Sequence, residues 1–146
     1  MCIATHNSAS CVNQTATAVA AACAGLDAEL IVVENGSTDN TLALLSQIDG
    51  ATLISLDANI GFAAGYNLAM QHAAGDYLLL LNADAAPAPA AIERMAYALD
   101  ADPRLAAVGP CIVDEQDRVL WSVVPEPSVF RGVGQSFIRH ILPKTT

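Results

Sequence analysis

Basic residues are scarce in this chain of 146 residues: Lys and Arg number six against fifteen Asp and Glu, a net charge of −9 and a pI near 4.4. A general nucleic-acid binder needs a basic face, so the balance argues against that class. A phosphate ligand is not excluded, because a bound divalent cation reverses the local sign. Charged residues make up only 14% and hydrophobic residues 53%, much of it alanine. That composition buries a core and argues against disorder. The four cysteines (Cys2, Cys11, Cys23, Cys111) form no CxxC pair, which argues against a zinc cluster. They read as mostly buried small hydrophobes in a reducing compartment. The N-terminus lacks a basic segment followed by a long apolar run, so no signal peptide is expected, and no stretch is apolar for long enough to span a bilayer. Peripheral membrane association is unreadable from composition. Repeats and low-complexity linkers are also missing.

What the chain does have is alternation. Apolar runs at 1–4, 30–33, 52–56 and 77–81 read as strands, the last (Tyr77-Leu-Leu-Leu-Leu81) as one buried on both faces. Between and after them, 15–25, a segment capped by Ser37 or Thr38 with Asp39 in its first turn, 63–73 and 89–99 read as helices. Leu42, Leu45 and Ile48 would form the inner face of the second helix, and Ile92, Met95, Ala96 and Leu99 that of the last. Residues 105–113 are apolar again. Strand and helix in turn give an α/β fold with a mostly parallel sheet flanked by helices.

Ligands of such sheets bind beyond the carboxyl ends of the strands. Polar residues cluster there: Thr5-His6-Asn7, Glu34-Asn35-Gly36-Ser37-Thr38-Asp39, Asp57-Ala58-Asn59-Ile60-Gly61 and Asn82-Ala83-Asp84. Turn formation and helix capping explain Gly36 to Asp39, but not Glu34, whose carboxylate could accept hydrogen bonds from a base or ribose. Gly61 and Gly65 either pack against a strand or let backbone N–H groups approach a phosphate; their spacing is neither a dinucleotide fingerprint nor a P-loop. Asn82 and Asp84, two apart on extended backbone, point the same way. They end the strand as an Asx turn or face one ligand, and a hard cation such as Mg²⁺ or Mn²⁺ prefers such oxygens. His6, His72 and His140 lack metal-ligand spacing, though His6 at a strand end could touch a ligand, and Trp121 reads as packing before a platform for a sugar or base.

Five segments carry a resemblance: IATHNS (3–8), IVVENGSTDNT (31–41), NIGFAAGYNLAM (59–70), GDYLLLLNADAAP (75–87) and VGPCIVDEQDRV (108–119). Together they resemble family 2 glycosyltransferases, in particular the rhamnosyltransferase-like branch. The resemblance implies a Rossmann-like GT-A fold and transfer of a sugar from a nucleotide-diphosphate donor to an acceptor hydroxyl with inversion. It implies a dTDP- or UDP-sugar as donor, rhamnose foremost, a glycan or lipid-linked acceptor in bacterial envelope polysaccharide synthesis, and a cytoplasmic location at the inner face of the membrane. By position, Thr5, His6 and Asn7 would lie near the nucleotide, Glu34 and Asn35 at its base or ribose, and Asn59, Gly61 and Gly65 around the donor. Asn82-Ala83-Asp84 would be the DxD-type motif, with Asp84 on Mg²⁺ or Mn²⁺ and Asn82 replacing the first aspartate.

Residues 1–113 would then form the donor-binding domain and 114–146 the start of an incomplete acceptor-side region. The family's general base has no convincing counterpart: Asp114, Glu115 and Asp117 look like a turn, and Glu126 lies between two prolines. The alternative reading is therefore a catalytically silent nucleotide-sugar-binding fragment that needs a partner chain or self-associates. A sugar nucleotidyltransferase ranks low, since Thr5-His6-Asn7-Ser8 is unlike the glycine- and arginine-rich opening loop of those enzymes.

Overall fold

A computed structural model describes residues 1–114 and 116–120. Three parallel strands, β1 (Cys2–Thr5), β2 (Leu30–Asn35) and β3 (Ala51–Leu56), lie side by side in that order. Their register sets Thr5 beside Glu34 and Glu34 beside Ser55, so the three carboxyl ends are level. The connections contain α1 (Val12–Ala22) and α2 (Thr41–Leu45), and α3 (Phe62–Gln71) follows β3.

The apolar runs of β1 and β2 supply two cores at once, because alternate residues of a strand face opposite ways. Met1, Ile3 and Val32 pack with Val12 and Val19 of α1 and Leu45 of α2. Cys2, Ile31 and Val33 pack with Tyr66 and Ala69 of α3 on the other face. A central strand covered on both sides reads as unbroken hydrophobicity, and Ile31, Val32 and Val33 are each at most 1% exposed.

The leucine run behaves differently from its expectation. It joins the sheet through a single bridge, Leu80 to Cys2, with the Cys2 N–H donating to Leu79 O (2.8 Å) and the Leu81 N–H donating to Cys2 O (3.0 Å). Leu79, Leu81 and Ala83 reach the α1 and α2 core, but Leu78 and Leu80 are 50% and 52% exposed. Period-two alternation sends every second leucine away from the covered face, and among the described residues nothing buries that second face.

Other boundaries shift as well. α1 begins at Val12 rather than Thr15, and α2 at Thr41, so Ser37 and Thr38 do not cap it. Leu42 is exposed, leaving Leu45 as the buried anchor of α2, with Ile48 packing from beyond its end. α4 (Ala91–Ala101) turns Ile92, Met95, Ala96 and Leu99 inward as its pattern predicts, though each is only half-buried. Of the cysteines only Cys2 is buried; Cys11 and Cys23 are half-buried, Cys111 is exposed, and all four are free thiols.

This first compact unit ends at Gly109, and a second begins at Pro110, somewhat earlier than the expected boundary after 113. The second holds the hairpin of β4 (Ile112–Val113) and β5 (Val119–Leu120), with Asp117 at φ 58° in the expected turn. The expectations for Glu115, Trp121, Glu126 and His140 lie outside the described residues. Among those described, no helix is long and apolar enough to cross a membrane.

Gly36 fixes the approach of two strand-end loops. It lies at φ +67°, and a Cβ there would sit 2.4 Å from the Ala58 carbonyl carbon and 2.6 Å from the Asn59 nitrogen. Both contacts are backbone, which cannot swing aside. Gly36→Ala is expected to cost about 3 kcal/mol, from the left-handed conformation and the overpacking together. Urea denaturation of the variant checks this; a loss under about 1 kcal/mol would show that the loops separate freely.

Candidate functional site

The level strand ends make a cleft of about 440 Å³ at the carboxyl edge of the sheet. Its wall includes Thr5, His6, Asn7 and Ser8 after β1, Asn35 at the end of β2, Asn59 and Phe62 before and within α3, and Asn82, Ala83 and Asp84 after the leucine run. Four separated stretches of sequence are thus brought to one place.

Buried polar groups hold the loops there. Glu34 and Asn35 are 2% and 3% exposed, and such groups stay buried only if bonded. One Glu34 carboxylate oxygen accepts the Ser37 N–H at 2.6 Å. Asn35 accepts the Ile60 N–H through Oδ1 (2.8 Å) and donates through Nδ2 to Gly61 O (3.2 Å). Its backbone carbonyl lies 3.0 Å from His6 Nδ1. A carbonyl can only accept, so Nδ1 carries the proton. In the neutral ring Nε2 is then left to accept from Asn7 Nδ2 at 3.3 Å.

The loop after β1 is stitched to the loop after β2. The Asn7 N–H donates to Ser37 Oγ (2.9 Å), and Asn7 Oδ1 accepts the Thr38 N–H (2.9 Å). The Ser8 N–H donates to Thr41 Oγ1 (2.8 Å), a fully buried hydroxyl. Asp39, one residue before the N-cap of α2, accepts the Thr41 N–H (3.0 Å) and the Ala9 N–H (3.2 Å). Ser37, Thr38 and Asp39 therefore serve the seam between two loops rather than a simple helix cap.

Three residues expected at a ligand do not line the cleft. Glu34 turns its carboxylate into its own loop. Gly61 is the N-cap of α3 at φ +93°. Gly65 sits behind the wall, where a Cβ would come within 3.2 Å of Ala4 Cβ, so its small size serves helix–strand packing. Thr5, His6, Asn7, Asn35, Asn59, Asn82 and Asp84 do line it. Asn59 also accepts the Gly61 N–H (2.8 Å), an Asx turn that starts α3.

Sequence reasoning passed over Ser8, Cys11 and Phe62 on the wall, and Thr15 and Tyr66 behind it. The Tyr66 hydroxyl donates to Leu81 O (2.8 Å), and that of Thr15 to Ala83 O (2.7 Å). Burial pushes the Tyr66 phenol above its ordinary value, and a hydrogen bond from the Ala4 backbone opposes that. Phe62 packs edge-on against Tyr66, ring centroids 4.7 Å apart, yet stays 68% exposed. An aromatic at i and another at i+4 of one helix was the available signal.

Against known proteins, the chain matches the description "Glycosyl transferase family 2" over residues 1–144. It belongs to that family. Among curated relatives, N-acetylglucosaminyl-diphospho-decaprenol L-rhamnosyltransferase from two strains of Mycobacterium tuberculosis is 30% identical over 115 residues, covering 70% of this chain and 38% of the relative. Among solved structures, S. aureus TarS superimposes with a TM-score of 0.60 at 22% identity, over 68% of this chain and 19% of TarS. TarS 1–349 in complex with UDP gives 0.59, over 31% of that chain. The family 2 chain thus shares the α/β glycosyltransferase fold with TarS, and spans well under half the length of the relatives it matches.

The seam between the loops should be pH-sensitive. Hydrogen bonds from the Thr41 hydroxyl, and then from the Thr41 and Ala9 amides, hold the Asp39 carboxyl below the usual aspartate value of 3.8. A depressed carboxyl stabilises the fold fully above its unfolded value, and the contribution disappears as pH falls through the folded one. Asp39→Asn should therefore lower Tm near neutral pH, and the gap to the unaltered chain should close as pH falls below the ordinary aspartate value. Thermal melts of both proteins across that range are the check, and a constant gap counts against this role.

Proposed function

We propose that the cleft binds a nucleoside-diphosphate sugar of the dTDP or UDP type and serves its transfer, with inversion, to a hydroxyl of a glycan or lipid-linked acceptor. The observation that carries this is the convergence of four strand-end segments on one cleft, with Asn82 and Asp84 on its wall, in a family 2 chain. The rhamnosyltransferase relative and its lipid-diphosphate-linked acceptor favour rhamnose and an envelope polysaccharide. In this reading the protein works in the cytoplasm, at the inner face of the membrane.

Charge argues for a divalent cation. Residues 1–93 hold nine carboxylates and no lysine or arginine. A diphosphate entering this cleft meets no permanent positive charge from that stretch. Among the described residues, no three His, Cys, Asp or Glu side chains gather to form a protein-only metal cage. Mg²⁺ and Mn²⁺ do not need one: Mg²⁺ usually takes one or two carboxylates, with substrate phosphates and water completing its shell. Asp84 fits as that carboxylate, with Asn82 beside it as a neutral oxygen donor. When bound, such an ion neutralises charge developing on the departing nucleotide diphosphate. The chain's own residues then orient the donor: the exposed Phe62 ring offers a stacking face, and Asn35 and Asn59 set the loop around it.

A second reading rests on one observation. Among the described residues Asp84 is the single carboxylate lining the cleft. Assigned to the cation, it leaves none there to deprotonate an acceptor hydroxyl. The 146-residue chain would then bind donor without turning it over.

Calorimetric titration with dTDP and UDP, with Mn²⁺ and with EDTA, tests the proposal. One nucleotide should bind at least about tenfold more tightly with Mn²⁺, and Asp84→Ala should remove that increment of about 1.4 kcal/mol. Equal binding in EDTA would remove the cation. No binding by a folded chain would remove the donor site. Sugar transfer by the purified chain would reject the silent reading.

A further inference from the structure

We propose that the hydroxyls of Tyr66 and Thr15 position Asn82 and Asp84, by holding the backbone at Leu81–Ala83 from opposite faces of the sheet where the β-ladder has stopped. The role assigned to Asp84 rests on the donor-site reading; the clamp itself rests on geometry alone.

In a parallel ladder, a residue that donates its N–H to one neighbouring strand also accepts through its C=O from the same strand, and the next residue to do so is two positions on. Cys2 donates to Leu79 O and accepts from the Leu81 N–H. The next rung would run from the Ala4 N–H to Leu81 O. Ala4 and Leu81 form no such bond, and Leu81 O instead accepts the Tyr66 hydroxyl at 2.8 Å. The phenol thus takes the acceptor that the missing rung would have used. It also lies 3.4 Å from Asn82 Oδ1. Beyond this point both chains line the cleft, the first through Ala4 and Thr5 and the second through Asn82, Ala83 and Asp84.

Thr15 acts from the other face. It is 3% exposed, and its Oγ1 donates to Ala83 O at 2.7 Å. Tyr66 is 4% exposed and belongs to the core on the α3 side, whereas Ala83 packs with the core on the α1 side. Two rigid, buried side chains therefore take consecutive outward needs of one short segment, the carbonyls of residues 81 and 83. Between them the Asn82 and Asp84 side chains are left facing the cleft. A cation site assembled from one carboxylate and a ligand's phosphates is sensitive to small displacements of that carboxylate, which gives the clamp its consequence.

The test uses Tyr66→Phe, Thr15→Val and the conservative Thr15→Ser, with two readouts. The first is amide hydrogen exchange at residues 82–86, which requires no ligand. The second is the Mn²⁺ concentration that half-maximally promotes nucleotide binding, set against nucleotide affinity in EDTA. Losing one such hydrogen bond should accelerate exchange at 82–86 about fivefold and raise the Mn²⁺ requirement by a similar factor. Exchange in β2 and affinity in EDTA should not change, and Thr15→Ser should stay near the unaltered chain. Unchanged exchange at 82–86 in both Tyr66→Phe and Thr15→Val overturns the clamp. So does an equal loss of affinity with and without Mn²⁺, which a merely destabilised fold would produce. If the unaltered chain binds neither nucleotide, the donor-site reading falls, and the exchange data still decide the clamp.

Discussion

At the end of the middle strand, the Asn35 side chain has no water to turn to. It is 3% exposed, so its amide must find partners in the protein, and it finds them in the loop leading into α3. Its backbone carbonyl takes the His6 ring from the loop after β1. One residue thus ties together the ends of three strands. Being central matters: only β2 has a neighbour on each side within the three-stranded sheet. Glu34 beside it orders the turn through Ser37, and Gly36 lets that turn press against Ala58. The cleft exists because these buried polar groups could be satisfied only by drawing the loops inward.

The two walls of the cleft are built by different means. Backbone and side-chain hydrogen bonds run back and forth between the loops after β1 and β2, from Asn7 to Ser37 and Thr38, and from Ser8 to Thr41. The segment carrying Asn82 to Asp84 has one sheet bridge, and beyond it, among the described residues, the Tyr66 and Thr15 hydroxyls reach its backbone. The lightly held segment carries Asp84, whose partners, in the reading proposed above, would change as a diphosphate arrives and leaves.

Much of this was legible in the sequence, for identifiable reasons. Central parallel strands are apolar throughout, so Ile31-Val32-Val33 announced β2, and the polar residues that stop such runs marked the functional edge. The leucine run misled by the same rule. An edge segment with one covered face can be as apolar as a central strand, and composition does not tell Leu79 from Leu80. Glu34 looked like a ligand residue because a carboxylate after three β-branched residues is costly. That cost is met inside the protein, by Ser37, which lies three residues away but becomes a partner only once the turn has formed. Thr15 and Tyr66 were invisible for a related reason. A hydroxyl in a helix has no sequence mark for the distant carbonyl it will meet, 68 and 15 residues onward.

The distribution of charge bears on what can enter. The carboxylates of residues 1–93 stand against no lysine or arginine, while residues 94–146 carry six of each sign. Screening at physiological salt confines such fields to about 8 Å, but the cleft lies within that reach of Asp84. In the proposed reading, a bare nucleotide diphosphate would be repelled by Asp84. The same nucleotide carrying a divalent cation is, in that reading, close to neutral and brings the partner that Asp84 would hold. The lack of a lysine or arginine among the described residues that line the cleft would then, in the reading proposed above, be a filter: it admits the cation complex and rejects free phosphates and polyanions that a lysine-lined pocket would attract. Selectivity would arise from an unfavourable field as much as from any contact, and the seam of neutral hydrogen bonds along the other wall is compatible with it, because asparagine, serine and threonine fix the loops without adding a cation.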